Sequence, residues 1–394
     1  MPIINSLLDN DLYKFTMMQG VLHFFPDIEV LYEFKCRTEN IDLSPFSDEI
    51  KREINHLCSL SFKKDELDYL KSLSFLKKDF IDFLKFFRLN PDHVKLTVEN
   101  KELDIKIEGS WLLTILFEVP ILAIVNQIYF SNNVQNPDFN GAMKLLEQKM
   151  HFVQKLGNKF KFADFGTRRR FSYSWQKQII NELVNSPLNL VNFVGTSNIS
   201  LAKQFNIKPI GTMAHEWLQA GQAVGVRLID SQKFMLQKWV DEYRGDLGIA
   251  LSDIVGIDAF LFDFDKYFSK LYDGVRHDSG DPFIVGEKII QHYEAMKINP
   301  WTKSIVFSDG LDFNIARKIL EHFQSRIQVS FGIGTNLTND IPNQNPLQIV
   351  IKMVRCNGQP VAKISDSPEK GMCNDEEYLK YLKKVFSEKM KKSD

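Results

Sequence analysis

The segment SFGIGTN, residues 330–336, carries glycines at 332 and 334 and a hydroxyl at Thr335. Glycines let backbone N–H groups approach an anion closely, and with Thr335 at a following helix start Gly334 would form a phosphate cradle. The plainer alternative is a tight turn with structural glycines. SDG at 308–310 supplies Ser308, Asp309 and Gly310, which could share that phosphate. VRHDSGD at 275–281 gathers Arg276, Asp278 and Asp281 around a Ser-Gly turn. A guanidinium grips a carboxylate or phosphate at two points, and an aspartate accepts from ribose hydroxyls or holds a hydrated magnesium ion, although an ion-paired turn would read the same way. ADFGTRRR at 163–170 sets Phe165 beside Arg168, Arg169 and Arg170. Three adjacent cations point to a polyphosphate, or to the solvated start of a helix over 168–184. His215 in GTMAHEW, with Thr212 and Glu216 nearby, could be a base, a nucleophile, a metal ligand or a structural group. No HxxxE or HxxxH spacing supports zinc there.

These residues end short apolar runs separated by helix-length stretches. The runs are KFADFG (161–166), VNFVGTS (191–197), KPIGTMAHE (208–216), IDAFLFD (257–263), YDGVRHDSGD (272–281), SIVFSDG (304–310) and VSFGIGTN (329–336). Continuous apolar runs with polar residues at their C-terminal ends predict buried parallel strands with helical crossovers, the chemistry lying on the loops after them. Seven such units favour an irregular barrel over an open sheet. No GxGxxG exists, since Leu337 holds its last position in GIGTNL, and no GxxxxGK[ST] occurs, which disfavours a Rossmann or Walker enzyme.

The first third has another texture. A helix is predicted over 9–25, with Asp9 as cap, Leu12, Phe15, Gln19 and Leu22 on one face, and Met17, Met18, Phe24 and Phe25 as core packing. A strand follows at Val30–Lys35. Residues 48–90 form a Lys- and Phe-rich helical stretch with Leu67, Leu70, Leu73 and Leu76 at threefold steps and a solvated charged face. Val94–Val98 and Leu103–Ile107 pair as a hairpin across Glu99, Asn100 and Lys101. After Ile349, IVIKMVR, the turn CNGQP and VAKIS read as a second hairpin, followed by a Lys-rich helical tail that returns to the first unit. The expected organisation is an N-terminal α+β domain, 1–135, completed by 349–394, and an α/β barrel at 136–348 carrying the active-site loops.

At roughly 150 residues per domain, 394 residues hold about two domains. Lys plus Arg number 49 and Asp plus Glu 50, so a net charge of −1 gives no field for nucleic acid or an anionic membrane. With 44% hydrophobic and 25% charged residues the chain is globular. Cys36, Cys58, Cys356 and Cys373 lie far apart, without a C-x-x-C pair, which suggests neither a disulfide framework nor a closed zinc site. MPIINSLLDND lacks the basic and apolar regions of a signal peptide, and Trp111–Val125, interrupted by Glu118 and Pro120, is too short to span a bilayer. A soluble protein in a reducing cytoplasm is expected.

Taken in order, DNDLYKFTM, ADFGTRRR, GTMAHEW, VRHDSGDP, FSDGLD and FGIGT resemble the nicotinate phosphoribosyltransferase family, over nearly the whole chain. The resemblance implies the irregular α/β barrel of type II phosphoribosyltransferases with an N-terminal α+β open-faced sandwich domain. It implies synthesis of nicotinate mononucleotide and pyrophosphate from nicotinate and 5-phosphoribosyl 1-pyrophosphate, coupled to ATP hydrolysis and feeding NAD biosynthesis. Magnesium would accompany the phosphorylated substrates. His215 matches the family's transiently phosphorylated histidine, and Phe165 the aromatic that stacks on the pyridine ring. Tyr13 matches an aromatic given by a partner subunit, which implies a homodimer with shared active sites. Arg276 and Thr212 match positions holding the nicotinate carboxylate, Arg168 a phosphate contact, Asp278 a ribose or magnesium contact, and Gly334 with Thr335 the 5′-phosphate loop. Ser197 stands where nicotinamide-using relatives place an aspartate. A carboxylate there would repel nicotinate, so Ser197 argues for the acid substrate. Zinc-bearing members carry a C-terminal cysteine cluster, whereas only Cys356 and Cys373 fall there, so no resident metal is expected. The competing readings are a nicotinamide or quinolinate enzyme of the same superfamily and a catalytically dead module that senses phosphoribosyl pyrophosphate or a pyridine nucleotide.

Overall fold

The computed structural model of the chain describes residues 2–188, 190–366, 373 and 375–391. Its strands are β1 Glu29–Cys36, β2 Val94–Glu99, β3 Glu102–Ser110, β4 Phe162–Asp164, β5 Phe193–Thr196, β6 Arg244–Leu247, β7 Ile249–Leu251, β8 Gly274–His277, β9 Ser304–Phe307, β10 Gln328–Ile333, β11 Ile349–Cys356 and β12 Gln359–Pro360. Eleven of them build an antiparallel sheet in the order β12-β11-β1-β3-β2 and a parallel sheet in the order β5-β4-β10-β9-β8-β7, while β6 is in neither.

Alternation explains the antiparallel sheet. In β1, Val30, Tyr32 and Phe34 are buried, and in β3 Leu103, Ile105 and Ile107 are, so one face of each strand meets the core. The β2–β3 hairpin turns at Asn100 and Lys101, whose φ values of 50° and 66° are what a two-residue turn between right-twisted strands requires. From the far end of the sequence β11 pairs with β1, Tyr32 opposite Met353.

The helical stretch at 48–90 is broken into Ser47–Ser59, Lys64–Ser72 and Lys78–Leu84. The first helix runs Leu12–Phe24 and starts later than expected because Asp9 is no cap. Both Asp9 oxygens instead accept from Arg170, each at 2.6 Å. Trp111–Asn133 is long and apolar enough to cross a membrane, yet 83% of its most apolar window is buried inside the protein, so it is a core element.

Five of the seven apolar runs are strands of the parallel sheet. The run at 208–216 is an extended seam rather than a strand. Ile210 N donates to Thr196 O at 2.8 Å on the β5 side, and Thr212 Oγ1 donates to Ile249 O at 2.9 Å on the β7 side, which closes the sheet into an irregular barrel. Gly195 sits at this seam with φ 143°, and a Cβ on it would lie 2.1 Å from Lys208 O. The run IDAFLFD is a helix, Ile257–Asp263, and not a strand. A short apolar run has no period to decide between the two, and here Ile257, Phe260 and Asp263 share a buried helical face. The strand supplying that barrel position is β7, only three residues long.

The C-terminal hairpin is also shorter than expected. After β12 the chain leaves the sheet, Ala362 N donating to Gln222 Oε1 at 2.9 Å and Ile364 N to Ile254 O at 2.8 Å. Its tail helix, Glu376–Lys391, packs on the barrel side and not on the first unit. Lys389 fixes it there, binding the buried Asp263 and the carbonyl of Ile229.

Candidate active site

Because the barrel strands are parallel, the loops after β4, β5, β8, β9 and β10 open at one end. Phe165–Arg170, Ser197, Asp278–Asp281, Ser308–Gly310 and Gly334–Thr335 therefore meet there. Asn336 Nδ2 donates to Leu311 O at 2.9 Å, which ties the 308–310 loop to the Gly334–Thr335 loop. Beneath Phe165 the buried Asp164 accepts from Gly166 N (2.8 Å), Thr196 Oγ1 (2.6 Å) and Gln176 Nε2 (2.8 Å). Burial pushes its carboxyl up to about 6. The Phe165 ring lies directly on Gly332, where a Cβ would sit 2.2 Å from a ring carbon.

His215 opens the helix His215–Ala220. Its Nε2 lies 2.9 Å from Asp253 Oδ1, 2.8 Å from Lys363 Nζ and 3.3 Å from Asp278 Oδ2. Lys363 Nζ is also 2.6 Å from Asp253 Oδ2, which accepts from Ser279 Oγ at 2.6 Å as well. Burial and the Lys363 ammonium hold the imidazole down at about 4, against the pull of Asp253, so the ring is neutral near pH 7. A neutral, partly covered imidazole is a competent nucleophile. Ser308 Oγ donates to Asp278 Oδ1 at 2.8 Å. Burial raises the Asp278 carboxyl, but Arg276 and His215 outweigh it and hold it at about 2. His215, Asp253 and Asp278 offer ligand atoms within 4.8 Å of one another, a spacing a cation can span, with the Lys363 ammonium on two of them.

The three arginines divide. Arg170 is fully buried between Asp9 and Gln176, so it is not part of a polyphosphate site. Arg169 donates to Gln348 Oε1 at 2.9 Å near the mouth. Arg168 leaves 41% of its side chain exposed and places Nη1 3.3 Å from Glu118 Oε1. Its charge reaches Tyr13, Asp11 and Asp278. Residues 167–169 form one turn of 3-10 helix, and the regular helix starts only at Tyr173, capped by Ser172.

Other expected contacts are already engaged. The Thr212 hydroxyl proton goes to Ile249 O, closing the barrel. Ser197 Oγ donates to Asp11 Oδ1 at 2.7 Å, and Asp11 is only 2% exposed. This corrects the argument from Ser197: a serine at 197 does not clear the place of carboxylates, because Asp11 reaches it from the N-terminal segment. Burial raises the Asp11 carboxyl, with Arg168 and Ser197 opposing. Arg276 remains available as a donor. Its Nη1 reaches Met213 O at 3.2 Å, while its buried Nε has no partner among the described residues. The Tyr13 hydroxyl is likewise buried without a partner, and among the described residues no ring contact joins Tyr13 to Phe165.

Asp253, Lys363, Lys352 and Asp11 escape the sequence reading. A lysine inside an apolar strand, Lys352 in IVIKMVR, is the signal that could have found one of them. Burial and Lys363 hold the Lys352 amine down at about 8, while Glu118 and Asp278 pull the other way. At the mouth the cations Arg168, Arg276, Lys352 and Lys363 stand among the carboxylates of Asp11, Glu118, Asp253 and Asp278, and they supply donors suited to an anionic ligand.

Two family models match the chain: the nicotinate phosphoribosyltransferase family over residues 160–390 and the N-terminal domain of that family over residues 8–126. Nicotinate phosphoribosyltransferases of Burkholderia mallei and Xanthomonas euvesicatoria are each 55% identical, covering 98% of this chain and 97% and 98% of theirs. The crystal structure of nicotinate phosphoribosyltransferase from Vibrio cholerae superposes with a TM-score of 0.93 at 42% identity, over 98% of this chain and 94% of that one. The enzyme from Porphyromonas gingivalis gives 0.92 at 33%, over 97% and 100%.

Proposed function

The chain belongs to the nicotinate phosphoribosyltransferase family, and on that premise we propose that it joins nicotinate to 5-phosphoribosyl 1-pyrophosphate in NAD biosynthesis, coupled to ATP hydrolysis through phosphorylation of His215. The observation carrying the coupled reading is the contact of His215 Nε2 with Asp278 Oδ2 at 3.3 Å, which joins the nucleophile for ATP to the carboxylate for the sugar. In the first step a ring nitrogen of His215 attacks the γ-phosphorus of ATP, the P–N bond forms and ADP leaves. Water later cleaves that bond and releases phosphate. In the second, the ring nitrogen of nicotinate bonds to C1 of the ribose as the C1–O bond to pyrophosphate breaks, through an oxocarbenium-like transition state.

The residues supply position and charge instead of proton transfer. Phe165, backed by Gly332, offers a flat face to the pyridine ring, and Arg276 a donor to its carboxylate. Asp278, ionised and steadied by Ser308, accepts from the ribose hydroxyls or holds the magnesium that arrives with the substrate. Gly334 and Thr335, with the backbone N–H groups of Asp309 and Gly310, take the 5′-phosphate. Arg168, Lys352 and Lys363 face the leaving pyrophosphate. Tyr13 completes the site of a second copy in a homodimer, a reading carried by the family likeness and not by this chain, where the side chain is itself buried with Arg168 as its strongest charged neighbour. Free cysteines at 36, 58, 356 and 373 suit a cytoplasmic location.

The test is pyrophosphate release from phosphoribosyl pyrophosphate and magnesium with nicotinate, nicotinamide or quinolinate, each with and without ATP, for the wild type and His215→Ala. Release with nicotinate, enhanced by ATP only in the wild type, is expected. Preference for nicotinamide would reject the substrate, and equal enhancement in His215→Ala would reject the phosphohistidine.

A further inference from the structure

Behind the His215 helix lies an ion network that no step above uses. Lys14 is fully buried, and its Nζ lies 2.5 Å from Glu118 Oε2 and 2.6 Å from Glu216 Oε2. Glu216 is the residue after His215, and its other oxygen faces Trp111 Nε1 at 3.4 Å. Glu118 opens the helix Glu118–Asn133, and its other oxygen meets Arg168 Nη1 at 3.3 Å. One unbroken chain of charge thus runs from the backbone of His215 through Glu216, Lys14 and Glu118 to the half-exposed guanidinium at the mouth. Lys14 lies on the helix Leu12–Phe24, which is pinned at the same end of the barrel by Leu12 N to Ser197 O (2.8 Å) and Thr16 Oγ1 to Thr212 O (2.6 Å).

Burying three charges is a poor way to stabilise a core, since apolar groups of equal volume do as well or better. What such a network offers is a fixed arrangement that transmits displacement, because neither carboxylate can move without unpairing the ammonium. The helix His215–Ala220 is six residues long, so a shift at its first residue moves Glu216 with it. Burial and the Glu118 charge push the Glu216 carboxyl up, whereas Lys14 and Arg168 outweigh burial at Glu118 and hold it down. The two carboxylates therefore share one ammonium unequally.

We infer that Lys14, Glu118 and Glu216 are positioning residues that couple the His215 helix to Arg168, so that phosphorylation of His215 sets the grip of Arg168 on phosphoribosyl pyrophosphate. This rests on the phosphohistidine reading above. It places the response to ATP in a differential affinity between two arrangements of one network.

The experiment measures the KM for phosphoribosyl pyrophosphate with and without ATP, alongside acid-labile phosphate on the protein from γ-labelled ATP, in the wild type, Glu118→Gln, Glu216→Gln and His215→Ala. Both glutamines keep volume and an acceptor for Lys14 while removing charge. ATP should lower the wild-type KM by on the order of tenfold. In both glutamine variants that ratio should collapse to near unity while label still accumulates. An undiminished ratio in both would overturn the coupling, and so would loss of label, which would mean the network serves only the histidine. If His215→Ala keeps the ATP effect, the phosphohistidine reading itself has failed. A second measurement needs no variant: amide hydrogen exchange of the wild type with and without ATP, in the absence of the sugar substrate. Changed protection at residues 12–16 and 167–169 is expected, and unchanged protection at both would reject the inference.

Discussion

Arg168 and Arg170 stand two residues apart in one run, yet they belong to different regions. Arg170 faces the interior, gripped at two points by Asp9 and covered by the Tyr173 ring at 5.0 Å. Arg168 faces the barrel mouth, half exposed, and its one ion pair among the described residues is Nη1 to Glu118 Oε1 at 3.3 Å. Arg170 with Asp9 and Lys389 with Asp263 are one-to-one interior pairs. Arg168, by contrast, makes a single, longer contact to a carboxylate that Lys14 already holds. The difference teaches how scaffold is told from site in this molecule: a fully buried cation gripped at short range by its own carboxylate holds the fold, and a half-exposed cation that shares one keeps donors for a ligand.

The largest effect should come from breaking the interior pair. Arg170→Met leaves Asp9 buried opposite nothing, with Asn198 Nδ2 at 2.7 Å as its remaining donor. Removal of one partner of such a pair costs about 3–5 kcal/mol. Urea denaturation should show that loss, and Arg170→Lys should not restore it, because an ammonium cannot reproduce the two-point grip. A variant of unchanged stability would end the claim that Arg170 is scaffold.

Arg168→Ala should reverse the pattern. Exposure of the side chain limits its stability effect to below about 1 kcal/mol. A lost charge-assisted contact to substrate, about 1.5–3 kcal/mol, corresponds to a fall of roughly ten- to a hundredfold in kcat/KM for phosphoribosyl pyrophosphate. Steady-state kinetics beside a melting curve separates the two arginines. Equal effects in both assays would erase the distinction between the regions.

Lys352 sharpens the comparison through pH. Its amine is held at about 8 against an ordinary 10.5, so the free enzyme loses this cation as pH rises through about 8. For the wild type, kcat/KM for the phosphorylated substrate should fall above that pH, and Lys352→Met should be lower at neutral pH and lack this limb. Stability should move the other way. Between about 8 and 10.5 the unfolded chain binds the proton that the native site has released, so this residue's contribution to unfolding free energy rises with pH. Opposite slopes for binding and stability mark a strained cation held for a ligand. Parallel slopes would place Lys352 with the scaffold.

The sequence was most legible where chemistry and strand ends coincide. Asp278, Ser308 and Gly334 follow β8, β9 and β10, so reading an apolar run to its polar end located them. The helix at 257–263 was misread because seven mostly apolar residues carry no period, and β7 was missed because three residues are too short to signal. Asp253, Lys352 and Lys363 lay hidden for another reason. Their significance is their distance to His215 and Asp278, set by the barrel and by the C-terminal segment folding back, and neither is a local property of the chain. Arg170 shows the converse: its letters matched a phosphate site, and only the position of Asp9 in space reveals it as structural.

Asp11 tests the rule at its boundary, where the smallest effect is expected. It is buried like the interior carboxylates, yet its neighbours are Ser197, which donates to it at 2.7 Å, and the charge of Arg168 from the mouth. If Asp11 belongs to the mouth, its charge opposes a carboxylate on the pyridine ring and favours an amide. Asp11→Asn would then keep the hydrogen bond to Ser197, raise kcat/KM for nicotinate relative to nicotinamide by a few-fold, and leave stability within about 1 kcal/mol. If it belongs to the scaffold, substrate preference stays put and stability falls, as for any buried carboxylate losing the charge its donors are arranged around. Competition between the two pyridines at fixed phosphoribosyl pyrophosphate decides the matter. It also decides what Ser197 does, because a serine whose proton is already given to Asp11 influences the pyridine through that carboxylate and not through a hydrogen bond of its own.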